Sequence, residues 1–259
     1  MVNPRVLVLR TAGTNCDYET QFAFQRAGAQ AERVHVNRLS ERPEMLHEHS
    51  ILVIPGGFSY GDDLGAGRIL ANELMTKLAE PVRRFIENGR LVLGICNGFQ
   101  VLVKAGLLPG PPERGQQATL TFNDSHRFED RWVWLKVCST RSPFFQNECV
   151  ITLPVAHGEG KFVAADEQVL DELRRNEQIV LRYVDSNGRT GSEYPWNPNG
   201  SQDDIAGICD ATGRVLGLMP HPERHALPVQ HPRWVREGLK DEGDGFQVFR
   251  NAVEYARQL

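Results

Sequence analysis

No run of eighteen apolar residues occurs anywhere in the 259-residue chain, so no stretch reads as a membrane-spanning helix. The apolar core of the opening segment MVNPRVLVLR is too short for a secretory leader. Cysteine is scarce. The five present, at 16, 96, 138, 149 and 209, are odd in number, widely spaced and free of any CxxC pair. That pattern argues against a disulfide framework or a zinc cluster and for reduced thiols in a cytoplasm. Long basic runs are missing too. With 29 Lys and Arg against 33 Asp and Glu the net charge is −4, so bulk electrostatics disfavour a nucleic-acid partner. Internal repeats and low-complexity segments are absent. What remains, 41% hydrophobic and 24% charged residues, is an ordinary globular composition long enough to bury a full core.

Along the first half, β-rich runs alternate with helical spacing. RVLVLR (5–10), AERVHV (31–36), ILVIPGG (51–57) and RLVLGI (90–95) read as strands. DYETQFAFQRAG reads as a helix with Phe22, Phe24 and Ala27 inward and Gly28 closing it. Residues 68–88 read as helical with a break at Pro81, and NGFQVLVKAG as a helix stopped by Gly106. The fold class is therefore α/β, a doubly wound, mostly parallel sheet flanked by helices. The second half carries TLTFND, WVWLKV, VITLPVA, IVLRYV, IAGICD and RVLGLMP, which read as an antiparallel extension, and a last helix starts near Gly245 with Phe246, Phe249, Val253 and Tyr255 as apolar positions. With no linker, residues 1–259 read as one domain. Residues 226–244 are charged and read as a solvated loop.

In open α/β sheets ligands bind beyond the carboxyl ends of the strands. Gly94-Ile95-Cys96-Asn97-Gly98 stands at such an end and opens a helix. This is a nucleophile elbow written with cysteine: the glycines clear a sharp turn, the helix N-terminus favours a thiolate, and the Asn97 N–H faces a developing oxyanion. Taken alone, the same pattern fits a buried core cysteine equally well. A thiol needs a base and the base an orienting carboxylate. Pro220-His221-Pro222-Glu223, after another apolar run, offers both. A metal held by His221 and His225 at i, i+4 would need a helix and a third ligand, and no metal is assigned. Pro55-Gly56-Gly57 supplies bare backbone N–H groups at the same edge.

Together PGG at 55–57, GICNGFQ at 94–100 and HPE at 221–223 resemble the class I, triad-type glutamine amidotransferases. With GTNCD at 13–17, PGGFSYGDDL at 55–64, GLLPG at 106–110, VAHGEGKF at 155–162 and MPHPERH at 219–225, the likeness narrows to the glutaminase subunits of phosphoribosylformylglycinamidine synthases, a purine-pathway family. The resemblance implies a catalytic triad of Cys96, His221 and Glu223 and an oxyanion hole of Gly57 and Asn97. It also implies contacts to L-glutamine from Gly56, Gln100, His157 and Gly158. It implies no cofactor on this chain: GGFSYGDD lacks the lysine and Ser/Thr of a P-loop, so ATP and Mg would belong to a separate synthetase subunit that receives the ammonia, with a small third subunit as a further expected partner. The surface around GFSYGDDLGAGR, with Phe58 and Tyr60 outward, is the expected docking loop. Two other classes stand beside this reading. A different cysteine hydrolase on the same sheet would not need Gln100, HGEG or the late HPE. A non-catalytic module would not need an intact Cys96, His221 and Glu223.

Overall fold

The computed structural model describes residues 3–191 and 193–259. Its first half winds β1 (Arg5–Arg10), α1 (Asp17–Arg26), β2 (Gln30–His35), α2 (Val36–Glu41), β3 (Ile51–Ile54), α3 (Arg68–Lys77), α4 (Ala79–Glu87), β4 (Leu91–Ile95) and α5 (Asn97–Lys104). The second half adds β5 (Ala118–Thr121), β6 (Glu129–Val137), β7 (Val150–His157), β8 (Lys161–Ala164), α6 (Glu167–Arg175), β9 (Ile179–Val184), β10 (Ile205–Cys209), β11 (Val215–Leu218), α7 (Trp234–Glu237) and α8 (Phe246–Ala256). Nine strands form one sheet in the order β2-β1-β3-β4-β11-β10-β9-β6-β7. The first five run parallel, and the remaining four continue the sheet antiparallel.

The composition of the central strands explains their position. ILVI of β3 and LVLGI of β4 are buried at every residue, as strands covered on both faces must be. β11 comes from more than a hundred residues downstream yet slots beside β4, with Val215 opposite Val92 and Leu218 opposite Ile95. That completes a 2-1-3-4-5 order, in which ligands bind past the carboxyl edge. Helices α1 and α8 pack together, Phe24 edge-on to Phe249 with ring centroids 5.0 Å apart. Helix α3 packs on α5. No helix among the described residues is long and apolar enough to cross a membrane.

Some local expectations shift. Phe22 is largely exposed, and Phe24 alone carries the inward aromatic face of α1. The break within 68–88 falls at Leu78, three residues before Pro81; proline is tolerated in a helix's first turn, where its missing N–H has no intrahelical partner anyway. The second strand ends at His35, whose side chain accepts from Asn37 N–H and caps α2. TLTFND yields only the short β5, which pairs with β8 outside the main sheet. Helix α6, unanticipated, starts from an Asp166 cap that accepts from Val169 N–H at 2.9 Å. Tyr60 turns inward, its hydroxyl donating to Glu73, while Phe58 stays 43% exposed. Residues 226–244 carry a one-turn 3-10 helix and α7, and are mostly exposed.

Candidate active site

At the carboxyl ends of β1, β3, β4 and β11 lie GTNCD, PGG, GICNG and PHPE, the first two residues of GICNG closing β4. Cys96 joins β4 to α5 with φ 51° and ψ −105°. A non-glycine residue held there costs on the order of 1–3 kcal/mol and persists only where its surroundings enforce it. Here the enforcement is visible. The Cys96 N–H donates to Leu218 O at 2.8 Å, tying the turn to β11. Two residues on, a Cβ at Gly98 would overlap the Ile54 carbonyl, so α5 can begin directly against β3 only with glycine there. The result is the elbow expected from the motif. Its sulfur lies 3.7 Å from Ala156 O and the residue keeps 5% exposure.

His221 follows β11, its N–H donating to Pro154 O at 2.8 Å. Its ring is buried. Nδ1–H donates to Glu223 Oε1 at 2.6 Å, and Glu223 is buried as well. The other ring nitrogen, Nε2, has no hydrogen-bond partner among the described residues. Burial alone would disfavour the imidazolium. The Glu223 carboxylate, then the Cys96 and Cys16 sulfurs, outweigh it and hold His221 well above its ordinary value. The ring leaves no room on the PGG side: a Cβ on Gly56 would come within 2.8 Å of His221 Cε1 and 3.2 Å of Cys16 Sγ. Gly56 thus lies against the edge of the His221 ring, and its carbonyl accepts from the Cys16 N–H at 3.2 Å.

Cys16 is a second thiol beside this ring, which the motif search did not single out. It lies 3.9 Å from His221 Nδ1, donates to Asn15 Oδ1 at 3.1 Å and accepts from Arg224 Nη2 at 3.2 Å. Burial raises its thiol above the ordinary value, against the pull of His221. Cys16, His221 and Glu223 offer ligand atoms within 4.8 Å of one another. A guanidinium on the sulfur and a carboxylate already committed to Nδ1 make this a poor cation site. His225 is not part of it; its Nδ1 lies 2.7 Å from Thr152 O and its ring stands edge-on to Trp132.

The remaining expected residues gather around α5. Asn97 opens the helix, so its N–H has no intrahelical acceptor, while Gly57 bridges to Thr14 beside it. Gln100 is buried with both ends of its carboxamide occupied: Oε1 accepts from Asn97 Nδ2 at 3.0 Å and Nε2 donates to Glu159 O at 2.6 Å. The Gly158 carbonyl accepts from Asn123 N–H at 2.9 Å. His157 is buried against Asn123, a residue the sequence did not flag. Asn123 Oδ1 accepts the Gly160 N–H at 3.0 Å, which fixes that atom as oxygen and makes His157 Nδ1, 3.1 Å away, the donor. The neutral ring then carries its lone pair on Nε2, which is buried without a partner among the described residues. Burial, reinforced by the charge of His221, pushes His157 down to about 3, so the ring stays neutral near pH 7. An open cavity of about 800 Å³, lined by Asp124, Thr190, Gly191, Tyr194 and Asp204 among others, includes none of Cys96, His221 or Glu223 in its lining.

A strained cysteine at a helix start, a carboxylate-bound imidazole and bare glycine turns at one sheet edge are what acyl transfer through a thiol requires. Residues 3–256 match the CobB/CobQ-like glutamine amidotransferase domain. The chain belongs to that amidotransferase family. It is 53% identical over 266 residues to phosphoribosylformylglycinamidine synthase subunit PurQ of Dehalococcoides mccartyi, covering all of both chains. To the PurQ subunit of Methanococcus maripaludis strain S2 it is 44% identical, with 98% of each chain covered. Among solved structures, the PurLQS structure from Thermotoga maritima contains a chain 32% identical to this amidotransferase, with a TM-score of 0.75 and coverage of 98% and 99%.

Proposed function

We propose that this chain, residues 1–259 acting as one amidotransferase domain, is the glutaminase subunit of a phosphoribosylformylglycinamidine synthase. The observation that carries the reading is the buried His221–Glu223 couple, 2.6 Å long, set beside the Cys96 elbow at the edge of the parallel sheet. Glu223 holds the Nδ1–H, which leaves Nε2 to take the thiol proton. Cys96 Sγ attacks the side-chain carboxamide carbon of L-glutamine. The tetrahedral oxyanion is met by the N–H groups of Gly57 and Asn97; losing one such donor costs on the order of 2.7–4 kcal/mol of transition-state stabilisation. His221 returns the proton to the departing nitrogen, ammonia leaves and a thioester remains. Water, deprotonated by the same ring, releases glutamate. Gly56, Gln100, His157 and Gly158 form the glutamine end of the site, with the His157 Nε2 lone pair suited to accept from the α-ammonium group.

Ammonia passes to a separate synthetase subunit that converts formylglycinamide ribonucleotide to formylglycinamidine ribonucleotide. ATP and Mg act on that subunit, and a small third subunit completes the assembly. The loop from Gly57 to Gly67 contributes to the docking face, through Phe58 and the 81% exposed Leu64 rather than Tyr60. The assembly works in the cytoplasm, without membrane or nucleic acid. The test is glutamine-dependent formation of formylglycinamidine ribonucleotide with the synthetase subunit, ATP and Mg. Product with wild type, and none with Cys96→Ala unless free ammonia is added, supports the reading. Glutamine turnover undiminished by Cys96→Ala would end it.

A further inference from the structure

The first turn of α5 is wired to the loop that crosses it. The Asn97 carboxamide is the junction. Its Oδ1 accepts the Ser59 backbone N–H at 3.1 Å; because a backbone N–H can only donate, that atom is fixed as oxygen and the other as nitrogen. The two Nδ2 protons have two acceptors, Asp62 Oδ1 at 3.1 Å and Gln100 Oε1 at 3.0 Å. This in turn fixes Gln100, whose Nε2 donates to Glu159 O at 2.6 Å. Donation therefore diverges at Asn97, backward to Asp62 and forward to Gln100, which in turn donates to the HGEG turn. Neither carboxamide can flip without breaking the bonds on both sides of it.

The loop at the head of this chain is conformationally demanding. Tyr60, Asp62 and Leu64 all have positive φ, at 55°, 56° and 63°, a region that non-glycine residues occupy only when held there. The loop also lies directly on α5: a Cβ on Gly67 would sit 3.0 Å from Val101 N and 3.3 Å from Gln100 Cβ. On its outer side Phe58 and Leu64 face solvent. One face of the loop thus delivers a carboxylate to the nucleophile helix, and the opposite face is free to be touched.

We propose that Asp62 is a positioning residue for glutamine hydrolysis: as the acceptor for Asn97 Nδ2 it sets the Gln100 carboxamide, and so ties substrate binding to the shape of the 57–67 loop. The inference rests on the glutaminase reading above. Asp62 takes no part in the proton transfers, because the Cys96, His221 and Glu223 contacts do not pass through it. Its removal frees one Asn97 proton and leaves the Asn97 carboxamide held by the Ser59 N–H and Gln100 alone, which slackens the seating of Gln100, loosens glutamine binding and leaves the thiol and its base in place.

The test uses the full chain with its synthetase subunit and compares Asp62→Ala and Asp62→Asn with wild type. Three quantities are read: KM for glutamine, kcat for its hydrolysis, and the rate of Cys96 alkylation by iodoacetamide. Loss of one polar restraint at the binding end predicts a KM raised about tenfold in Asp62→Ala, with kcat and alkylation changed less than about threefold. Asp62→Asn keeps an acceptor oxygen in the same place and restores KM to within about threefold of wild type. If Asp62→Ala does not fold, Asp62→Ser, whose shorter side chain ends short of Asn97 Nδ2, is read against the same outcomes. An unchanged KM, a parallel fall in kcat and alkylation, or an Asp62→Asn as impaired as Asp62→Ala each overturns the proposal. A wild-type complex that hydrolyses no glutamine overturns the glutaminase reading and this inference with it, whereas an active wild type with an unaltered Asp62→Ala overturns the inference alone.

Discussion

Two cysteines stand at helix starts on either side of one imidazole, and they are not equivalent. Cys16 precedes α1 with φ −102°, while Cys96 precedes α5 with φ 51°. Both stand where a helix begins, yet burial raises the Cys16 thiol above its ordinary value. At Cys16 the sulfur is enclosed at 1% exposure, gives its proton to Asn15 and receives the Arg224 guanidinium. At Cys96 the turn is held at φ 51°, and the sulfur lies 3.7 Å from Ala156 O. The difference teaches that the helix start alone does not make a nucleophile. The proposal that Cys96 reacts rests instead on its forced turn at the edge where the carboxylate-held His221 ring lies.

That contrast can be broken most directly at the sulfurs. Cys96→Ala is expected to lower glutamine hydrolysis by at least about 10⁴-fold, and Cys16→Ala by less than about tenfold, since only the first removes the attacking atom. Steady-state ammonia release in the assembled complex measures both, and equal losses would erase the distinction. Next comes the ring they share. Glu223→Gln removes the carboxylate charge that fixes the Nδ1–H tautomer and steadies the imidazolium, and is expected to cost on the order of 10³–10⁴ in kcat with little change in KM. A smaller effect arises from the wall they share. Gly56→Ala drives a methyl group into His221 and Cys16 together; a displacement near 1 Å is expected to cost about 100-fold in kcat/KM. An activity within twofold of wild type would show that the ring has room to move.

The smallest effect sharpens the electrostatic side. In the unfolded chain both His157 and His221 titrate near 6.5. Folded His157 refuses a proton until about 3, so below pH 6.5 the unfolded state binds more protons and stability falls as pH drops. Folded His221 holds its proton well above 6.5, so its contribution is complete below that pH and is lost as pH rises. Stability from this pair therefore peaks near pH 6.5, with slopes of at most about 1.4 kcal/mol per pH unit on either side. Denaturant melts across pH 5–9 check this. His221→Ala should flatten the alkaline limb and only soften the acidic one, since burial, the larger cause, still holds His157 down without the His221 charge.

Much of the site could be read locally. GICNGFQ, PGG and HPE each announce their turn because bare backbone and rigid proline are chemical requirements of those places, and the runs VLVL, ILVI and LVLGI mark buried strands by composition alone. What escaped reading was set by approach between distant segments. Nothing in GTNCD says that Cys16 meets a histidine 205 residues later. Asn123 and Asp62 act through carboxamide polarity, which exists only once the backbone donors around them are in place. Tyr60 looked outward because its neighbours are glycines and aspartates, yet the positive φ there turns the ring toward Glu73. Helical spacing alone makes Phe22 a core position, whereas the core is filled by Phe24 against Phe249, on an element more than two hundred residues away.

The account turns on which sulfur reacts. Labelling the complex with an electrophilic glutamine analogue, followed by peptide mass mapping with and without excess glutamine, decides it. The expected result is one adduct on Cys96, suppressed by glutamine, with Cys16 unmodified. An adduct on Cys16, or no adduct at Cys96 even with the synthetase subunit present, would contradict the account.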